Sequence, residues 1–316
     1  MTRPTAHDVW LPLRPEEIDG LPDGLRYRCW DGTGEYPADP ADCAFYVTPY
    51  LAPPQEVLRP LADMTGVRVV QTLTAGVDHV LPVVDRLAAG AQLCNARGVH
   101  DASTAELALA LILASLRGLP DFVRAQDEGA WRQGFRPALA DRTVLIVGYG
   151  SIGAAIEERL VPFEVARVLR VARTARTADR GPVSPLRDLP HLLPQADVVV
   201  LVTPLTEATR GMVDAGFLAR MRDGALLVNV ARGAVVDTDA LLAELRAGRL
   251  YAALDVTDPE PLPSDHPLWR APGVLITPHV GGPTSAFLPR AKRLLREQLT
   301  RWAAGRPLLN VVATAG

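Results

Sequence analysis

The apolar run Val144-Leu145-Ile146-Val147 leads directly into Gly148-Tyr149-Gly150-Ser151-Ile152-Gly153, and that in turn into a helical pattern from Ala154 to Leu160. A buried strand, a glycine turn and a helix start in this order confine the chain to a wound α/β unit of the dinucleotide-binding kind. Gly148 permits the tight turn, Gly150 lets backbone approach a pyrophosphate, and Gly153 lets helix pack close on strand. The helix start adds free N–H groups and the positive end of its dipole. The residues expected to hold a cofactor here are Gly148, Tyr149, Gly150, Ser151, Ile152 and Gly153.

The rest of the chain alternates in the same way. Before the glycine loop, strands are expected at Ala44–Val47, Val67–Gln71 and Ala91–Asn95, with a helix over Gln55–Met64. A long helix is expected from Ser103 to Leu116. Ser103 or Asp101 would cap it, and Glu106 would complete a capping box. Its apolar residues are nearly continuous, which predicts burial on most sides, by another domain or another subunit. From Thr143 a second series predicts strands at Val144–Val147, Val168–Ala172, Val198–Val202, Leu226–Val230, Ala252–Leu254 and Val274–Thr277. A last helix, Leu288–Ala304, would return the chain so that Pro307–Val312 rejoins the first domain. Strands alternating with helices predict doubly wound parallel sheets. The expected division is 1–99 with 287–316 for one domain and 100–286 for the other.

Composition excludes several classes. The 316 residues suffice for two domains of ordinary size, and a net charge of −3 points neither to nucleic acid nor to an anionic membrane. Cys29, Cys43 and Cys94 are too few and too scattered for a disulfide framework or a zinc site, and no other metal is expected. The N-terminus has no apolar signal core, and the apolar stretch Leu107–Leu116 is too short to span a bilayer. A cytoplasmic protein is expected.

Three motifs fall at predicted strand ends, where open α/β sheets place ligands. They are Asn229-Val230-Ala231-Arg232-Gly233, the stretch from Asp255 through Glu260 to Pro261, and Thr277-Pro278-His279-Val280-Gly281. A histidine exchanges protons near neutral pH, and a carboxylate beside it favours the imidazolium. An arginine presents a planar fork to a carboxylate. Each residue alone is more commonly structural. Together, downstream of a dinucleotide loop, they fit hydride transfer between a nicotinamide and a 2-oxo acid.

With these motifs in this order, the chain resembles the D-isomer-specific 2-hydroxyacid dehydrogenase family along nearly its whole length. The resemblance implies an α/β fold with a Rossmann dinucleotide-binding domain inserted in a flavodoxin-like substrate domain. It implies that Arg232 binds the substrate carboxylate and keto oxygen, that His279 is the acid/base, and that Glu260 is its partner. Asp255 would lie by the nicotinamide carboxamide, with Thr203, Pro204, Val230, Ala231 and Gly281 among the cofactor contacts. Thr74 to Asp78 matches the first-domain loop whose amides hold the substrate carboxylate, so Ala75, Gly76 and Val77 are expected substrate contacts. Domain closure would exclude water, and the helix after Ser103 would form a homodimer interface.

One departure bears on the cofactor. NAD-preferring sites carry an acidic residue about twenty positions after the glycine loop. Here the region reads Arg170-Val171-Ala172-Arg173-Thr174-Ala175-Arg176, without one. Arg173, Thr174 and Arg176 are suited to a 2′-phosphate, which favours NADP over NAD. The mostly apolar or small residues Tyr46–Pro54 and Leu73–Ala75 suggest a modest substrate such as glyoxylate, hydroxypyruvate or a short aliphatic oxo acid. Tyr50, Trp131 and Phe135 are expected to serve ordinary packing. Two alternatives stand beside this reading: a D-3-phosphoglycerate dehydrogenase without a regulatory domain, and a nucleotide-sensing, corepressor-like binding protein.

Overall fold

The structure is a computed structural model and describes residues 8–316. The chain forms two compact units, one of residues up to His100 together with Ser285–Gly316, the other Asp101–Thr284.

The first unit opens with β1 (Asp8–Leu11), β2 (Arg26–Cys29), β3 (Cys43–Val47), β4 (Val69–Gln71) and β5 (Gln92–Cys94). The second contains β6 (Thr143–Val147), β7 (Arg167–Ala172), β8 (Arg176–Ala178), β9 (Gly181–Pro185), β10 (Val198–Leu201), β11 (Leu226–Asn229), β12 (Tyr251–Leu254) and β13 (Val274–Ile276). The tail adds β14 (Val311–Thr314) to the first unit.

The first sheet runs β14-β5-β4-β3-β1-β2, parallel except for β14, which pairs antiparallel with β5. Phe45 and Val47 of β3 join a core with Val9, Leu11 and Val69, closed by Ala291, Leu294, Leu295 and Leu299 of the Phe287–Ala303 helix. Tyr46 joins the opposite layer with Trp10, Trp30 and Met64. Strands buried on both faces read as continuous apolar runs, which is why β3 is visible in sequence. β1 and β2 are not: β1 offers only three apolar residues between Asp8 and Pro12, and β2 (Arg-Tyr-Arg-Cys) is a polar edge strand. The expected Gln55–Met64 helix is shorter, an α-helix over Pro54–Leu58 followed by a 3-10 turn over Arg59–Ala62. Pro60 removes the amide a continuing helix needs.

The second sheet runs β13-β12-β11-β10-β6-β7-β9-β8, parallel except for the β8–β9 hairpin. The chain order reverses between β6 and β10, so the loops after these two strands flank a topological switch point. Along β6, Val144 and Ile146 face one core and Leu145 and Val147 the other.

The helix expected from Ser103 begins two residues earlier, as Asp101–Arg117. Ser103 is therefore inside it and forms no capping box. Its hydroxyl instead meets Thr284 Oγ1 at 2.7 Å. The expected burial on most sides holds only in part: Ser103, Thr104, Ala105, Ala108, Leu111 and Ile112 are buried, while its other apolar residues are half-buried or exposed. Trp131 and Phe135 are not packed as expected: they are 91% and 107% exposed. They lie in an irregular stretch after the Leu119–Asp127 helix, where no element covers them.

Candidate active site

The glycine loop lies at the switch point of the second unit. Gly148 has φ +107°, and a Cβ there would stand 2.6 Å from the Val202 carbonyl and the Thr203 amide, so only glycine fits. The turn is tied to β7 by Gly148 and Tyr149, whose amides donate to Val171 O at 2.8 and 2.9 Å. The Ser151–Leu160 helix begins immediately after Gly150. The amides of Ser151, Ile152 and Gly153 have no acceptor among the described residues, and a Cβ on Gly150 would meet nothing within 4 Å. Thr203 Oγ1 is buried and also has no partner among them. Open space, unpaired amides and an orphaned hydroxyl at a helix start fit the pyrophosphate of a dinucleotide.

Tyr149 points away from this space. It is buried, and its hydroxyl donates to Glu157. Arg170 Nε donates to the same carboxylate at 2.7 Å. Burial first, and Glu157 second, push the Tyr149 hydroxyl up from its ordinary pKa, while Glu157 pushes Arg170 further up. This buried Tyr149–Glu157–Arg170 cluster braces the loop from behind. Sequence reading missed it, because no spacing rule brings β7 under the helix at Glu157.

β6 and β7 are parallel neighbours with Val147 opposite Val171, so the basic run leaves the sheet at the same end as the glycine loop. Arg173, Thr174 and Arg176 are exposed there, and Arg176 donates to the Tyr149 carbonyl.

Four further loops of this unit bear the other expected site residues. After β11, Asn229 shapes the turn: its Oδ1 accepts from Ala231 N at 3.0 Å and its Nδ2 donates to Arg232 O at 3.0 Å. A Cβ on Gly233 would fall 1.9 Å from Thr257 O, which forces glycine after Arg232. Val230 and Ala231 are buried, Arg232 is half-buried, and its Nη1 donates to Ala231 O at 2.8 Å. After β10, Pro204 O accepts from Thr209 Oγ1 at 2.6 Å. After β12, the buried Asp255 accepts from Thr277 Oγ1 at 2.7 Å, Val280 N at 2.8 Å and Gly281 N at 2.9 Å. Its carboxylate thus fastens the loop after β13. His279 sits in that loop at φ 55°, a left-handed conformation uncommon outside glycine, held by its amide donating to Asp255 O at 2.7 Å. His279 Nδ1 is 2.6 Å from Glu260 Oε1, with both side chains partly exposed. That contact occupies Nδ1 and leaves Nε2 as the ring nitrogen able to exchange a proton.

In the first unit, the loop after β4 has a distinct pattern. The carbonyls of Leu73, Thr74, Ala75 and Gly76 accept from His100 Nε2, Thr72 Oγ1, Asn95 Nδ2 and Thr74 Oγ1, at 2.8, 3.0, 2.8 and 2.7 Å. The amides of Thr74, Ala75, Gly76 and Val77 have no acceptor among the described residues.

Residues 109–281 match the model of the D-isomer specific 2-hydroxyacid dehydrogenase NAD binding domain. The human glyoxylate reductase/hydroxypyruvate reductase is 34% identical over 258 residues, 78% of this chain and 78% of that protein. The chain belongs to the D-isomer-specific 2-hydroxyacid dehydrogenase family. It is accordingly an NAD(P)-dependent D-2-hydroxyacid dehydrogenase. A family member from Xanthobacter autotrophicus Py2, solved with NADPH and MES, is 31% identical with a TM-score of 0.81, covering 98% of both chains. The NADPH-dependent glyoxylate/hydroxypyruvate reductase of Sinorhizobium meliloti, solved with NADP and malonate, is 25% identical with a TM-score of 0.79, covering 98% of this chain and 97% of that one. Among the described residues no group of three or more His, Cys, Asp or Glu is placed to hold a metal ion, and no single helix is long and apolar enough to cross a membrane.

Proposed function

We propose that this dehydrogenase reduces a small 2-oxo acid of the glyoxylate or hydroxypyruvate type to its D-2-hydroxy acid, with NADPH preferred. The contact that carries the reading is His279 Nδ1 to Glu260 Oε1 at 2.6 Å. It commits Nδ1–H to Glu260 and leaves Nε2 as the nitrogen to exchange a proton with the substrate.

The glycine loop from Gly148 to Gly153, with Thr203, Pro204, Val230, Ala231, Asp255 and Gly281, would hold the dinucleotide. Arg173, Thr174 and Arg176 are the groups for its 2′-phosphate: two guanidinium forks, a hydroxyl and no carboxylate at the end of β7. Bound NADPH supplies the hydride. His279 Nε2 carries the proton that the substrate oxygen receives as C2 is reduced. Glu260 stabilises the imidazolium and fixes its ring orientation. Arg232 takes the carboxylate and polarises the keto oxygen. The amides of Ala75, Gly76 and Val77 take the carboxylate as well, as neutral donors. We place the protein in the cytoplasm as a homodimer. The half-buried Leu107, Leu109, Leu113 and Leu116 of the Asp101–Arg117 helix and the exposed Leu119, Val123, Trp131 and Phe135 supply apolar surface for a second copy.

The test is oxidation of NADPH and of NADH, separately, with glyoxylate, hydroxypyruvate, pyruvate, phenylpyruvate and 2-oxoisovalerate. Fast turnover of glyoxylate or hydroxypyruvate with NADPH is expected. Turnover with NADH alone would discard the 2′-phosphate assignment. No turnover of any of these acids by cofactor-bound enzyme would defeat the substrate reading.

A further inference from the structure

A trans peptide is planar, so the N–H of one residue points opposite to the C=O of the residue before it. Anchoring a carbonyl therefore aims the next amide. In the loop after β4 the anchors are side chains. Asn95 Nδ2 holds Ala75 O at 2.8 Å, which aims the Gly76 amide. Thr74 Oγ1 holds Gly76 O at 2.7 Å, which aims the Val77 amide. Thr72 Oγ1 at 3.0 Å and Ala96 N at 2.9 Å hold Thr74 O, which aims the Ala75 amide.

We propose that Asn95 and Thr74 are the positioning residues of this enzyme's carboxylate-binding loop, setting affinity for the 2-oxo acid through the peptide planes they hold. The inference rests on the reading that Ala75–Val77 receive a carboxylate. Neither residue touches the acid. Each prevents a peptide flip that would replace a donor with a carbonyl oxygen, and a carbonyl facing a carboxylate repels it.

The anchors are themselves fixed. Asn95 Oδ1 accepts from Arg97 N at 3.2 Å, which orients the side-chain amide with Nδ2 toward Ala75 O. Asn95 O accepts from Gln71 Nε2 at 3.1 Å, and Gln71 Oε1 accepts from the buried Gln298 Nε2 at 2.7 Å. At the start of the loop, His100 Nε2 donates to Leu73 O at 2.8 Å. The His100 ring stacks on Phe287, and Phe287 on Tyr50, with centroids 5.4 and 3.9 Å apart. A loop with so many ties holds one conformation, as a site that must present amides without a helix requires.

The experiment compares wild type with Thr74→Val, Thr74→Ser and Asn95→Ala. It reads kcat and KM for glyoxylate, the Kd of NADPH, and the Kd of malonate in the NADPH-saturated enzyme. Thr74→Val and Asn95→Ala should raise the glyoxylate KM and the malonate Kd about tenfold, the effect of one lost hydrogen bond at a half-buried group. Turnover and NADPH affinity should stay near wild type, and Thr74→Ser, which keeps the hydroxyl, should restore both acid affinities. Thr74→Val binding malonate as wild type does, or Thr74→Ser failing as Thr74→Val does, overturns the proposal. If Asn95→Ala does not fold, the Thr74 pair decides alone. A wild-type enzyme that binds malonate but reduces no 2-oxo acid defeats the reductase reading only, and the malonate series then judges the positioning role. Wild type that binds no malonate overturns the proposal.

Discussion

The glycine loop after β6 and the Thr74–Val77 loop after β4 both present unpaired amides, but they are built in opposite ways. The first relies on what is missing: no Cβ at Gly148, where one would collide with the β10 loop, and no intrahelical partner for the amides of Ser151 to Gly153. The second relies on what is added, one side-chain tie for each carbonyl from Leu73 to Gly76. An anion site made from a helix start is robust to its side chains and sensitive to its glycines. A site made from tethered peptides is sensitive to single hydroxyls and amides. Variants that strike one loop, the other or neither put this contrast to the test.

The largest effect should come from a residue in neither loop. His279→Ala should lower kcat by about 100- to 10,000-fold, the range for loss of a positioned acid/base. NADPH and malonate should bind nearly as in wild type, since both anion loops remain. Near wild-type turnover would sink the assignment of His279. Glu260→Gln keeps a neutral partner at Nδ1 and should cost less, because the ring orientation survives while the imidazolium loses its carboxylate.

Gly148→Ala comes next. It forces a side chain to φ +107° against the backbone of Val202 and Thr203, a strain of about 1–3 kcal/mol before any repacking. Thermal unfolding should shift down, and the NADPH Kd should rise steeply. Malonate binding without cofactor should not change. An unstrained, fully binding Gly148→Ala would remove the basis for calling this loop glycine-dependent.

The two loops also differ in how much of them is legible in sequence. Strand, glycines and helix give the first away, because φ above zero and close backbone approach select a residue type. The order of Arg232, Glu260 and His279 is readable too: each follows a strand whose apolar run marks its end. The Thr74–Val77 loop is read only through family resemblance. Its anchors are Thr72, Thr74, Asn95 and His100, common polar residues whose spacing carries no signal until β4 and β5 are paired. The brace under the glycine loop is hidden likewise, since Glu157 and Arg170 meet only once β7 lies beside β6. Ser103 shows the reverse error: its spacing to Glu106 imitates a capping box, while its hydroxyl is committed to Thr284.

Arg176→Ala sharpens the glycine-loop side of the contrast. Arg176 is exposed and donates to the Tyr149 carbonyl, beside the first turn of the helix. Removing a charged donor from a phosphate costs about tenfold in affinity. The NADPH KM should rise by that factor while the NADH KM stays constant, because NADH carries no 2′-phosphate. An equal rise for both cofactors would make Arg176 a brace of the loop rather than a reader of the phosphate.

The smallest effect is the most discriminating. Tyr149→Phe and Thr74→Val each delete one hydroxyl from a loop that presents unpaired amides. Tyr149 lies inside the glycine motif, yet its hydroxyl serves Glu157, which retains Arg170 when the tyrosine is gone. The loss should appear as about 1 kcal/mol of stability, the ordinary net worth of a hydrogen bond, with little change in NADPH affinity. Thr74→Val removes a tie that aims an amide, so its cost should fall on the acid and not on stability. If Tyr149→Phe weakened NADPH as much as Thr74→Val weakens malonate, both loops would depend on side-chain ties. The distinction between an anion site made by a helix start and one made by anchored carbonyls would then be lost.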